Sequence, residues 1–173
     1  MSEEILDLVD TDDNVIGQLA RTEVYARDLH SYRVVNCFLR NSHGQLWIPR
    51  RAASKKLKAG ALEYSVAGHV STGETYDQAL LREAAEEIHF DLMRIPWRRL
   101  GKLTPPADGS FCFQGIYEIQ SDETPAFNPE DHSEAKWMSV PEILAAIAAG
   151  EPVTYDFELT IRRFFMSSSD ALQ

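Results

Sequence analysis

Cysteine is scarce in this chain. There are two among 173 residues, Cys37 and Cys112, far apart and each in a strand-like run. That excludes a disulfide scaffold, and buried free thiols are expected. No apolar stretch approaches the roughly 20 residues that span a bilayer. The N-terminal MSEEILDLVD is acidic and has no apolar signal core, so a cytoplasmic protein with no membrane partner is expected. Positive charge is also short: 17 Lys and Arg stand against 27 Asp and Glu, a formal net charge of -10. A general nucleic-acid surface needs the opposite balance, whereas a small anionic ligand held by a metal and a local basic patch does not. Repeats and low-complexity tracts are missing as well.

What is present suffices for one domain with a sizeable core, since 44% of the residues are hydrophobic. Ile5 to Val9 and Val15 to Gly17, around Asp12-Asp13-Asn14, read as a hairpin. Thr22 to Arg27 is ambiguous, with a helical turn as one reading. Strands are expected at Val34 to Arg40, Gln45 to Arg50, Glu63 to Ala67, Trp97 to Leu103, Phe111 to Ile119 and Glu134 to Ser139. Helices are expected after Thr75, over Pro141 to Ala149, where Pro opens and Gly150 closes the segment, and over Phe157 to Met166. The order is not a regular βαβ alternation. An α+β domain with a mixed sheet between helices fits, with residues 1–30 as an N-terminal hairpin extension, 31–166 as the domain and 167–173 as a tail.

The segment from Gly68 to Glu87, GHVSTGETYDQALLREAAEE, carries the chemistry. Glu83, Glu86 and Glu87 stand at i, i+3 and i+4, so their carboxylates leave one side of a helix. Three like charges so close call for a cation among them, and a hard dication such as Mg²⁺ prefers oxygen ligands. Thr75 and Gln78 form a capping-box start. Leu80, Leu81, Ala84, Ala85 and Ile88 occupy the opposite side, for packing against a sheet. Gly68 ends a strand-like run, where a backbone carbonyl comes near a ligand. Arg82 lies one turn from Glu86 and beyond Glu74, and its forked donors suit holding both carboxylates. A helix with this many acids is ordinarily a solvated face; six positions at fixed spacing, Gly68, Glu74, Arg82, Glu83, Glu86 and Glu87, argue otherwise. The spacing resembles the Nudix box, the signature of the Nudix hydrolases. One departure is His89, where that family usually has a glycine serving the helix end.

A second constellation precedes the box. Arg50 to Lys58 holds five cations in nine residues, in a loop that leads from one strand to the next and suits a phosphate end. RRAxSKKxxxG followed by SVAGH is similar to the isopentenyl-diphosphate isomerases, a Nudix-fold branch, over roughly Leu29 to Leu92. The resemblance implies a Nudix-type α/β/α sandwich and diphosphate binding by Arg51, Lys55 and Lys56. It also exposes a difference. The isomerase needs a cysteine where this chain has Ala67, and glutamates in a strand that here reads SFCFQGIY. His69 matches one of its metal ligands, but Tyr32 stands where another histidine is expected. Isomerisation is therefore disfavoured and hydrolysis expected.

The expected reaction is Mg²⁺-dependent, with Mn²⁺ as a substitute, on a pyrophosphate bond of a nucleoside diphosphate or a compound linked through one. Glu83 and Glu87, assisted by Glu86 and the Gly68 carbonyl, are the metal residues. Arg82 and Glu74 orient them, and His69 either meets substrate or packs at the loop. Glu130 and Asp131 are candidate bases outside the box. His30, His43 and His132 read as surface histidines. Phe111, Phe113, Trp137, Tyr155 and Phe157 are core aromatics, with stacking on a base as the other reading. A catalytically inactive nucleotide-binding module is the competing class, and either a monomer or a homodimer fits.

Overall fold

A computed structural model describes residues 3–166; the tail expected over 167–173 lies outside them. The chain order is β1 (Ile5–Val9), β2 (Val15–Ala20), α1 (Arg21–Ala26), β3 (Arg33–Arg40), β4 (Leu46–Arg51), β5 (Val66–His69), α2 (Tyr76–Glu87), β6 (Trp97–Leu103), α3 (Pro105–Asp108), β7 (Phe113–Gln120), β8 (His132–Met138), α4 (Val140–Ala148) and α5 (Phe157–Phe164). The domain is α+β, as expected. Among the described residues, α1 is the helical turn that was one reading of Thr22 to Arg27, and α3 is a further helix that was not expected. Both, α1 and α3, are short, and so short a segment shows little helical periodicity.

A six-stranded mixed sheet runs β6-β7-β3-β4-β8, with β5 also on β3. β3 is parallel to β7 along its whole length, from Arg33↔Phe113 to Arg40↔Gln120. Its other edge is shared. Val34 to Cys37 pair antiparallel with β5, and only Arg40 pairs with Leu46 of β4. Gly68 thus sits inside β5, opposite Val35, and does not end a strand over Glu63 to Ala67 as expected.

Strand alternation divides the core into two layers. From β3, Val35, Cys37 and Leu39 turn toward α2, where Ala79, Leu80, Ala84 and Ile88 are buried with them. Phe38 faces the other way, among Leu46, Ile48, Tyr64, Ile143 of α4 and Phe157 and Ile161 of α5. Ala79 takes the inward place expected of Ala85, which is exposed. Both cysteines are buried and free. The β1–β2 hairpin packs through Leu6 onto Val24, Tyr32 and Cys112. No described helix is long and apolar enough to cross a membrane.

Candidate active site

The glutamate helix starts where its cap dictates. Thr75 accepts from the Gln78 backbone N–H at 3.2 Å while the Gln78 side chain accepts from the Thr75 N–H at 2.9 Å, the reciprocal satisfaction of two open donors. At the other end His89 has φ +60, a left-handed conformation that favours glycine. The histidine therefore makes the exit turn that a glycine would make.

Arg82 is the centre of the site. Its Nε and Nη2 hold the two oxygens of Glu74 at 2.8 and 2.9 Å, Nη1 donates to Glu83 at 2.7 Å, and Nη2 also donates to the His69 carbonyl at 3.0 Å. Glu86, one turn on, is mostly exposed and 3.5 Å from Nη1. One guanidinium thus ties the loop before α2 and the end of β5 to the helix. Its hydrogen bonds hold the Glu74 carboxyl below the ordinary range.

Gly68 is required by close approach. A Cβ there would collide with the carboxyl group of Glu83 and lie 2.6 Å from its Cγ. Beside it, Ala67 belongs to a strand paired on one side only, with β3. Its N–H on the open edge donates to Glu87 Oε2 at 3.0 Å. An edge donor that would otherwise invite another strand is thereby directed at a carboxylate. Glu87 has no cationic partner among the described residues. Burial pushes it up to about 8, against the pull of the Ala67 N–H. Burial also raises Glu83, despite Arg82, with Glu86 and Glu4 adding repulsion.

No three acids, histidines or cysteines among the described residues are drawn together at metal-binding distance. The donor chemistry nevertheless fits a hard dication. Glu83 and Glu87 are under-neutralised oxygen donors flanking a strand segment at which only glycine leaves room, and charge neutralisation is what they lack.

The basic loop divides. Arg51 Nη1 donates to Glu63 at 2.6 Å and its Nε to the Leu57 carbonyl at 3.1 Å. Lys55 pairs with Asp131, whose charge adds to that of Glu63 in raising Glu87. Arg51 and Lys55 are thus each paired with an acid, Glu63 and Asp131. Lys56 is exposed and forms no ion pair among the described residues. Arg50 turns away, to Glu134 at 2.8 Å and Glu151 at 2.9 Å. His69 is held between Tyr25, 2.8 Å from its hydroxyl, and Glu4 at 3.7 Å. Burial lowers it to about 4, which keeps the imidazole neutral at physiological pH.

One site residue, Glu63, escaped the sequence reading, and another, His132, was misplaced by it. Glu63 is 5% exposed and His132 4%. His132 Nε2 lies 2.7 Å from Glu63 Oε1, so this histidine is not at the surface as expected. The bulge where β4 meets β8, at Arg51↔His132, joins them across 69 positions of sequence.

The NUDIX domain model matches residues 30–157. A Nudix hydrolase of Deinococcus radiodurans is 46% identical over 165 residues, 95% of this chain and 96% of that protein. An uncharacterized Nudix hydrolase of Nostoc is 43% identical over 162 residues, 94% of this chain and 96% of that protein. An isopentenyl-diphosphate Delta-isomerase of Photorhabdus laumondii is 28% identical over 147 residues, covering 84% of this chain and 82% of that protein. A crystal structure from Deinococcus radiodurans superposes with a TM-score of 0.90 at 46% identity, covering 94% of this chain and all of that one.

Proposed function

Because the chain belongs to the Nudix family, we propose that it hydrolyses a pyrophosphate bond in a nucleoside diphosphate, or in a compound linked through one, with Mg²⁺ as its cation and Mn²⁺ as a substitute. The observation that supports this most directly is the Arg82-centred carboxylate array beside Gly68.

Glu83, Glu87 and the Gly68 carbonyl are the residues that would hold the cation, with Glu86 at the rim. When bound, the cation neutralises phosphate oxygens and acidifies a coordinated water. Arg82 and Glu74 keep Glu83 in its orientation, the role of an outer shell around a metal ligand. Arg51 and Lys55 hold the outer phosphate, and Lys56 adds charge from the solvent side. Water attacks phosphorus, the anhydride P–O bond breaks, and two phosphate-bearing products leave. Glu86 takes the water proton as general base: it is exposed, and its contact with Arg82 is long, 3.5 Å.

Isomerisation has no support in the site. Ala67 carries no acid or nucleophile, and its N–H is committed to Glu87. The test is a panel of nucleoside di- and triphosphates, sugar nucleotides and dinucleotides with and without Mg²⁺, read by product phosphate. Dication-dependent release from a nucleoside-diphosphate compound supports the proposal. Tight nucleotide binding without turnover would make the chain a binding module instead.

A further inference from the structure

Glu74 anchors Arg82 with two hydrogen bonds, yet Glu74 itself sits in the loop between β5 and α2. The N-terminal hairpin holds that loop. Within it, the Glu74 N–H donates to the Ser71 carbonyl and the Ser71 N–H to Glu74 Oε2, both at 2.9 Å. Its outward contacts run residue by residue to β1. Ser71 bridges antiparallel to Leu6. The Thr72 N–H and hydroxyl both donate to the Ile5 carbonyl at 3.1 Å. The Gly73 N–H donates to Asp7 Oδ2 at 3.2 Å. Asp7 is only 5% exposed and has no cationic partner among the described residues. Its other oxygen accepts from the Gln18 amide at 3.1 Å. A buried carboxylate served only by neutral donors is costly to keep, and no step of the proposed hydrolysis uses it.

The hairpin is in turn clamped at its tip. Asp13 accepts from Arg33 Nε at 2.6 Å and from the Tyr76 hydroxyl at 3.0 Å, and it pairs with Lys102. Tyr76 is the first residue of α2. Asp7 and Asp13 therefore hold the chain on either side of Glu74, at Gly73 and at Tyr76. Apolar burial alone does not explain this docking. Val15 and Ile16 of β2 are 49% and 67% exposed, and a two-stranded sheet is marginal by itself.

We infer that the N-terminal hairpin positions the carboxylate site, with Asp7 as the positioning residue through which β1 sets Gly73, Glu74, Arg82 and so the Glu83 carboxylate. That this site holds a cation and hydrolyses a substrate rests on the reading above; the setting of Arg82 does not. Asp7 acts through the loop and not on the reacting atoms. Asparagine can stand in for it. One oxygen suffices for the Gly73 N–H, and the Gln18 side chain can turn to accept from the new amide. Alanine offers no acceptor and leaves the Gly73 N–H without its partner.

The test uses the full chain with Asp7→Ala and Asp7→Asn. Ser139→Ala, which removes the cap of α4 on the other layer of the core, is the control for lost stability alone. Hydrogen exchange by NMR, without metal, should quicken about ten-fold or more at the Glu74 N–H and the Arg82 Nε–H in Asp7→Ala, and about two-fold or less in Asp7→Asn. Titration calorimetry with Mg²⁺ alone should show Kd rising about three-fold or more in Asp7→Ala. Its kcat should fall about ten-fold with KM within about two-fold of the native value. Ser139→Ala should lower Tm with none of these changes. Arg82 Nε–H exchange as slow in Asp7→Ala as in the native chain overturns the inference. So does a Ser139→Ala variant that quickens it as much at an equal loss of Tm. Should Asp7→Ala not fold, Asp7→Ser, whose hydroxyl is too short to reach Gly73, takes its place. If no substrate is hydrolysed, the hydrolase reading fails while the exchange still decides the role of the hairpin.

Discussion

Replacing Arg82 with alanine tests the architecture of the site where it is most concentrated. The guanidinium makes two hydrogen bonds to Glu74, one to Glu83 and one to the His69 carbonyl, all at 3.0 Å or less. A hydrogen bond to a charged group contributes about 1.5–3 kcal/mol. The four share one side chain and are not additive. The group is also 31% exposed, so water recovers part of the loss. A net cost of about 2–4 kcal/mol follows, increased by the repulsion left among Glu74, Glu83 and Glu86 and decreased by their hydration. For a domain of this size that is a fall in Tm of roughly 5–15 °C. Thermal melts with and without Mg²⁺ should show a smaller fall with the cation, which replaces part of the missing charge. Turnover should drop about 10- to 100-fold, as loss of outer-shell support does. Arg82→Lys should recover little of either, since an ammonium cannot bridge three partners as a fork does. A fall in Tm under about 2 °C with unaltered kcat/KM would refute the organising role.

Two further perturbations separate the parts of the site. Gly68→Ala should leave the protein folded and abolish most activity, because the new methyl displaces the Glu83 carboxyl group; full activity in a melt-stable variant would mean that the close approach is not needed. Arg51→Ala with Lys55→Ala should raise KM for diphosphate substrates about ten-fold or more, and by more than it lowers kcat, as loss of uniform binding does. Lys55 contributes the smaller share because Asp131 holds it, and an unaltered KM would make the loop a solvated surface.

The carboxylate face was legible because it is local. Glu83, Glu86, Glu87 and Arg82 are fixed by helical spacing, and Thr75 with Gln78 marks the start of that helix in four letters. The Nudix fold was implied by the resemblance of that spacing to the Nudix box, and the family comparison agrees with it. Long-range pairing was not legible. Nothing in the sequence near His132 announces a partner at Glu63, since the contact depends on β8 returning antiparallel to β4 with a register shift at Arg51. Nor does the sequence around Gly68 show that the glycine lies inside a strand only four residues long. His89 reads as a departure by residue type, yet its backbone adopts the glycine-like conformation. Phe111 and Tyr155, whose alternating pattern suggested core, line a cavity with their rings stacked, a placement set by the loop before α5.

The most direct measurement compares the native chain with Glu87→Gln, as Mg²⁺-dependent product release from the best nucleoside-diphosphate compound of the panel. Glu87 accepts the Ala67 N–H on the open edge of β5, and glutamine keeps the oxygen that this bond needs, so the fold should be retained. Turnover should fall by roughly a hundred-fold or more. Near-native turnover of Glu87→Gln at saturating Mg²⁺ would contradict the assignment of this carboxylate face as the metal-binding centre.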